Sequence, residues 1–420
     1  MQKFIVTGGR KLSGETIIQG SKNAVLPILA AAVLIDGEAV IEGAPKLSDT
    51  YSAIRILGHL GVKVKYCDSQ KTVSVNATQI HAHEIPDEMM KEMRSSIFFL
   101  GPVIGRTGSC KLSYPGGCDI GLRPIDMHIS ALEQMGVKVT HTDEHLHFTA
   151  DKGLHGAKIA LRFPSVGATE NIICAAVTAK GTTVITNAAR EPEVTDLIKF
   201  LNTAGAKIKQ AGEGRIVING VAKLHSLTHT VIPDRIAAAT ILAGVTAAGG
   251  FVTVRNCNPL DMEAILPLFE HMGASVFTGK DFVTLNCGKK LRALPEKLTT
   301  MVYPGFPTDA QSVVMGALCK AAGTTVVEET IFENRYRHVP EMQKMGADIV
   351  VSGKTAVIKG VKRLHGAKVN ATDLRGGAGM VIAGLTAEGV TEIGDIRFID
   401  RGYDELELTF ASLGADIKRI

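Results

Sequence analysis

The stretch His59-Leu60-Gly61-Val62-Lys63-Val64 returns five more times down the chain, and the spacing of its copies decides the fold. It reads QMGVKV at 134–139, TAGAKI at 203–208, HMGASV at 271–276, KMGADI at 344–349 and SLGADI at 412–417. Its glycines, Gly61, Gly136, Gly205, Gly273, Gly346 and Gly414, stand 75, 69, 68, 73 and 68 residues apart. A helix-like stretch precedes each glycine and an alternating, strand-like one follows it. The pattern predicts a helix closed by a glycine in the left-handed conformation, just past its last turn.

Each interval also holds a second helix-like stretch that is apolar nearly all round. The six are AVLPILAAAVL (24–34), SIFFLGPVIG (96–105), ATENIICAAVTA (168–179), RIAAATILAGVTA (235–247), AQSVVMGALCKAA (310–322) and GAGMVIAGLTA (377–387). A helix without a polar face belongs inside a domain. A glycine turn and a short strand follow each one, as in GEAVIEG (37–43) and GTTVITN (181–187). The repeating unit is therefore strand–helix–strand–helix, an α/β module if its crossovers are parallel. Six copies imply two domains of three, with a break near VIPDRIAAA (231–239). The expected domains are 22–232, and 1–21 together with 233–420. The residues up to about Gly20 form an extra strand expected to pair with the last copy.

Composition narrows the function. The 420 residues are 45% hydrophobic and 21% charged, which excludes a long disordered chain. A net charge of +4 over this length gives no reason to expect a nucleic-acid or membrane-surface partner. The N-terminus lacks the apolar run of a signal peptide, and no stretch reaches about 18 uninterrupted apolar residues. Seven scattered cysteines without a C-x-x-C pair indicate neither a disulfide framework nor a metal site. A reduced, cytoplasmic protein without metal or cofactor is expected.

The residues opening the six apolar helices carry the chemistry. They are Gly20-Ser21-Lys22-Asn23, Arg94-Ser95-Ser96, Ser165-Val166-Gly167 with Glu170, Pro233-Asp234-Arg235, Thr308-Asp309, and Thr372-Asp373-Leu374-Arg375. Ser, Thr and Asp there read equally as ordinary caps. Lys22, Arg94, Arg235 and Arg375 do not, because a cation opposes the helix dipole at an N-terminus. They make sense where an anion joins them, since free N–H groups and basic side chains both attract phosphate or carboxylate. Repetition places these starts at equivalent corners of both domains, facing one cleft suited to a multiply anionic ligand.

The segment Ser113–His128, SYPGGCDIGLRPIDMH, is a loop punctuated by Pro115, Gly116, Gly117, Gly121 and Pro124. Cys118 sits between a glycine pair and Asp119, unlike a buried structural cysteine. Arg123 favours its thiolate relative to the ordinary value of about 8.5, while Asp119 opposes it. Both a reactive thiol and an inert one are open from this reading alone.

Several phrases together carry a resemblance: GSKNAVLPIL, PGGCDIGLRPIDMH, FPSVGATENI, YPGFPTDAQ, IFENRYRHVPEM, ATDLRGGAG and IDRGY. From about Lys3 to Lys418 the chain resembles the enolpyruvyl transferase family, and the cysteine loop resembles the members that act on UDP-N-acetylglucosamine. The resemblance implies a two-domain inside-out α/β barrel, three repeats per domain, with the active site between domains. It implies transfer of enolpyruvyl from phosphoenolpyruvate to the sugar 3-hydroxyl, releasing phosphate, at the first committed step of peptidoglycan synthesis. Alternatives are the enzyme acting on shikimate 3-phosphate, or a silent homologue that only binds the nucleotide sugar.

The same resemblance assigns roles. Cys118 is the general acid toward C3 of phosphoenolpyruvate, a site of covalent adducts and the target of fosfomycin. Asp309 accepts the hydroxyl proton, or serves only as a cap; a raised pKa would suit it as a base. Lys22, Arg123 and Arg401 clamp phosphoenolpyruvate, Arg94 and Arg375 complete the anion field, and Asn23 holds the sugar. Arg123, Pro124, Ile125, Asp126, Met127, Ser165, Val166, Gly167 and Ile331 line the uridine and diphosphate pocket. Arg335 and Asp373 buttress the site, and His128 either contacts the nucleotide or makes a structural hydrogen bond. The chain departs from the family pattern at Asp119 and at the GGAG after Arg375.

Overall fold

The computed structural model describes residues 2–116, 120–121, 124–142, 144–288 and 290–420. The helices Ser48–His59, Asp126–Gln134, Pro192–Thr203, Leu266–His271, Val339–Lys344 and Leu406–Ser412 precede the six repeat glycines. All six glycines have φ between 87° and 108°, the left-handed region where a side chain is strained. Each stop is closed by two backbone bonds. The Gly61 N–H donates to Gly58 O and the Val62 N–H to Leu57 O, both at 3.0 Å, and the other five repeats match. This is the Schellman closure, which satisfies carbonyls the helix end leaves over. The residue five before the second donor (Leu57, Leu132, Leu201, Phe269, Met342 or Phe410) is fully buried, so each stop is also an apolar anchor.

The apolar helices are Lys22–Ala31, Leu100–Thr107, Val166–Ala176, Arg235–Ala248, Thr308–Leu318 and Leu374–Thr386, and their residues are nearly all buried. The second begins later than expected, because Arg94–Phe99 winds as a 3-10 turn. Pro102 has no N–H to donate and falls in the first turn of Leu100–Thr107, where none is needed.

Two compact units result. The first holds the described residues of Gly20–Cys118 and Arg123–Ile232, the second those of Met1–Gln19, Asp119–Leu122 and Pro233–Ile420. Each has its own apolar core. In the second unit the helices Arg235–Ala248, Thr308–Leu318 and Leu374–Thr386 pack pairwise on one another. A Cβ at Gly316 would stand 2.5 Å from the Gly379 carbonyl oxygen, so only glycine permits that approach. In the first unit Leu100–Thr107 packs on Val166–Ala176 in the same way.

Among the described residues the strands form six open sheets, none closed into a barrel. One pattern recurs. Ile35–Glu42 lies between an antiparallel partner, Thr72–Asn76, and a parallel one, Leu224–Thr230. Thr182–Thr186, Gly250–Arg255 and Thr324–Glu328 repeat it. The sheet of Ser109–Leu112 has three strands, with a single parallel bridge from Glu84 to Lys111 in the fourth place. The N-terminal residues supply two strands rather than one. Phe4–Thr7 inserts antiparallel between Val390–Gly394 and Asp416–Arg419, completing the sixth repeat, while Leu12–Ile17 joins Gly250–Arg255 in the fourth. No helix among the described residues is long and apolar enough to cross a membrane.

Candidate active site

In the first unit, the backbone at Ser21 is extended and the helix begins at Lys22, which is 7% exposed. Its ammonium meets the Asp49 carboxylate at 2.8 Å, with both side chains almost wholly buried. A cation in the first turn of a helix is unfavourable, and Asp49 offsets it. Asp49 itself stands in the first turn of Ser48–His59, where negative charge is favoured. Asn23, beside Lys22, is half-buried. Arg94 opens the 3-10 turn and donates through Nη1 to Pro115 O at 3.0 Å, and the Gly116 N–H donates to Met90 O at 3.0 Å. Those bonds fasten the stem of the cysteine loop. Cys118, Asp119 and Arg123 lie outside the described residues.

Beyond the loop, Pro124 is exposed, Ile125 is buried and Met127 is half-buried against the core. Asp126 opens the helix Asp126–Gln134 and is paired with Arg162, a residue the sequence reading passed over. Ser165 caps the helix Val166–Ala176, its Oγ accepting from the Ala168 N–H, and Val166 and Gly167 form the first turn. His128 makes the structural bond that was one of its two readings. Asn171 Oδ1 accepts from the Gly101 N–H at 2.6 Å, which leaves Asn171 Nδ2 to donate to Ile97 O at 3.0 Å and to His128 Nδ1 at 2.9 Å. His128 Nδ1 is therefore an acceptor, and the neutral ring carries its proton on Nε2.

In the second unit, three sequence-predicted residues meet directly. Asp309, in the first turn of Thr308–Leu318, accepts from Arg335 Nη2 at 2.8 Å and from Arg375 Nη2 at 3.2 Å. The Asp309 side chain is 27% exposed and the two guanidinium side chains 4% and 2%. The residue before this helix is Pro307, which has no side-chain oxygen to cap it. Two guanidinium donors favour the ionised carboxylate.

Burial works against the charge on Arg375, but Tyr403, Asp309 and Asp234 outweigh it and tighten its hold on its proton. The Tyr403 ring lies 5.3 Å from its guanidinium carbon, in cation–π range. Asp373 caps the helix bearing Arg375, accepting from the Arg375 and Gly376 N–H groups at 3.0 Å each. Arg401 closes the 3-10 turn Ile396–Arg401 and is half-buried. Ile331 is fastened by Glu329, a buried carboxylate that accepts from the Ile331 and Phe332 N–H groups and from the hydroxyls of Thr300 and Thr308. The sequence carried no local signal for Glu329, because its partners converge from a strand, a turn and a helix start. The Asn334 N–H donates to Ile120 O at 2.9 Å.

Two buried groups oppose each other in pH. Glu170 is fully buried without a hydrogen-bond partner, and burial, with Glu193 and Glu191 nearby, holds its carboxyl well above the usual range. Between the ordinary and the raised value the folded chain keeps a proton that the unfolded chain has lost. Stability contributed by Glu170 therefore falls as pH rises, by about 1.4 kcal/mol per unit. Burial pushes His338 down to about 4, so below its ordinary value of 6.5 its contribution is lost as pH falls. Glu170→Gln is expected to gain stability over the parent progressively from pH 5 to pH 8 in denaturant midpoints. A difference independent of pH would mean that Glu170 is ionised in the fold.

The EPSP synthase (3-phosphoshikimate 1-carboxyvinyltransferase) family matches residues 6–410. UDP-N-acetylglucosamine 1-carboxyvinyltransferase 2 of Caldanaerobacter subterraneus subsp. tengcongensis is 47% identical over 422 residues, covering all of both chains. The enolpyruvyl transferase NikO from Streptomyces tendae superposes with a TM-score of 0.89 at 26% identity, over 100% of this chain and 98% of that one. EPSP synthase from Acinetobacter baumannii superposes at 0.77 with 18% identity over all of both chains, a likeness of fold alone. With the Asp309 cradle and the six-repeat fold already in place, these matches put the chain in the enolpyruvyl transferase family, among the UDP-N-acetylglucosamine 1-carboxyvinyltransferases.

Proposed function

We propose that the chain transfers the enolpyruvyl group of phosphoenolpyruvate to the 3-hydroxyl of UDP-N-acetylglucosamine and releases phosphate. The observation that carries this reading is Asp309 held charged between two buried guanidinium groups, in a chain whose full-length relatives bear that activity in their name. The reaction needs a base for the sugar hydroxyl, an acid for C3 and cations for a phosphate and a carboxylate. Asp309 takes the hydroxyl proton as the sugar oxygen bonds to C2, and Cys118 delivers a proton to C3, giving a tetrahedral phospholactoyl ketal. Loss of a C3 proton and departure of phosphate with its bonding pair regenerate the enol double bond. Lys22, Arg123 and Arg401 neutralise phosphoenolpyruvate, with Arg94 and Arg375 adding positive potential and bidentate geometry. Asn23 holds the sugar. Pro124–Met127, Ser165–Gly167 and Ile331 receive the uridine and diphosphate. The reading places the chain in the cytoplasm, at the entry to cell-wall synthesis, with Cys118 open to alkylation by fosfomycin.

Identity with the nucleotide-sugar enzymes along the whole chain favours this substrate over shikimate 3-phosphate. Phosphate release from phosphoenolpyruvate is expected to require UDP-N-acetylglucosamine, and Cys118→Ala is expected to lose most of it. Release supported by shikimate 3-phosphate instead would replace the reading with its rival.

A further inference from the structure

Arg419, the penultimate residue of the sequence, makes five hydrogen bonds. Nε donates to Glu407 Oε1 at 2.6 Å, and Nη2 to Glu407 Oε2 at 3.3 Å and to Asp400 Oδ1 at 2.7 Å. Nη1 donates to Asp400 Oδ2 at 2.9 Å and to Gln2 Oε1 at 3.1 Å. A guanidinium has five N–H donors, so all of its capacity is spent here. Its carbon also lies 5.1 Å from the Phe4 ring, on the strand that pairs with its own. Asp400 is the residue before Arg401, and the two close the 3-10 turn Ile396–Arg401. The far side of Arg401 is fastened as well: Gln19 Nε2 donates to Gly402 O at 3.2 Å, and Gln19 Oε1 accepts from the Asp404 N–H at 2.8 Å.

We propose that Arg419 is a positioning residue for Arg401, holding its turn through the bidentate pair with Asp400. The inference rests on the reading of Arg401 as a phosphoenolpyruvate ligand. Two mechanisms act together. A two-bond planar pair fixes the Asp400 end of the turn in distance and in angle, which a point charge does not. Arg419 also neutralises Asp400, which without it would set an uncompensated negative charge beside Arg401 and weaken its pull on an anion. Glu407, on the separate helix Leu406–Ser412, shares the guanidinium but lies outside the Arg401 turn.

That separation supplies the test. Arg419→Lys keeps a charge but loses the fork, and Asp400→Asn keeps the shape but loses the ion pair. Both are expected to raise KM for phosphoenolpyruvate about tenfold with KM for UDP-N-acetylglucosamine unchanged, the mark of lost ligand binding rather than general damage. Glu407→Gln is expected to lower the melting temperature and leave both KM values unchanged. Equal effects of all three variants on both KM values would reduce Arg419 to a structural staple. Arg401→Ala separates the two layers of the inference. If it raises KM for phosphoenolpyruvate while Arg419→Lys and Asp400→Asn do not, the positioning role is wrong. If Arg401→Ala itself leaves that KM unchanged, the reading of Arg401 is wrong.

Discussion

Asp309→Asn is expected to lower kcat by about 10²–10⁴-fold while leaving the far-UV spectrum intact, the range lost when a positioned general base is removed. The carboxylate meets one guanidinium on each oxygen, Arg335 on Oδ1 and Arg375 on Oδ2. An asparagine retains one acceptor and turns an amide NH2 toward the other guanidinium, so the shape survives and the ability to take a proton does not. The pH profile makes the test sharper. The parent is expected to lose activity on the acid side as Asp309 becomes protonated, apart from any alkaline limb set by the Cys118 proton donor. The variant has no such group and its residual rate is expected to lack the acid limb. A kcat within threefold of the parent, measured by phosphate release at saturating substrates, would remove Asp309 from the chemistry. The loss of Oδ1 also frees part of Arg335, whose Nε already lacks an acceptor in its buried position, so some loss of stability accompanies the change.

What the sequence announced is what short-range physics governs. A glycine past the end of an amphipathic helix is a local demand on φ, and Gly61, Gly136, Gly205, Gly273, Gly346 and Gly414 all meet it. The caps at Ser165, Asp234 and Asp373 bond to N–H groups two or three residues on, and were legible for the same reason. The second apolar helix starts about a turn later than its hydrophobic pattern indicates, with Pro102 in its first turn and a 3-10 turn before it. Residues whose partners lie far along the chain left no mark. Asp49, Glu329 and Arg419 carry no local pattern that sets them apart from other charged residues. Each acts by holding a backbone or side chain that folding brings to it. The pairing of Phe4–Thr7 with both Val390–Gly394 and Asp416–Arg419 was half legible, because a sixth repeat short of a strand has to borrow one. Lys22, Arg94, Arg235 and Arg375 stood out because a cation at an apolar helix start conflicts with a dipole of known sign, whereas Asn23 and Asp309 were singled out through the resemblance.

Asp49→Ala is expected to destabilise the protein by about 3–5 kcal/mol, the cost of stripping one partner from a buried ion pair. The ammonium of Lys22 stands 2.8 Å from the carboxylate with 9% of the lysine side chain exposed, so water does little to replace what is removed. The helix dipole adds to the cost, since the positive charge then faces the N–H end of Lys22–Ala31 with its nearest counter-charge gone. Denaturant midpoints give the stability change, and a loss under 1 kcal/mol would mean that the pair contributes little. Stability and function separate in the double variant. Lys22→Met with Asp49→Leu replaces the pair by apolar side chains of similar volume, a change that commonly restores or improves stability. Under the proposed function it recovers the fold and not the turnover, because the cation that meets phosphoenolpyruvate is gone. Recovery of both would show that Lys22 serves the core alone. Persistent instability without activity would point to steric misfit at the helix start, which Asp49→Asn, nearly isosteric with the native residue, then resolves by losing stability through charge alone.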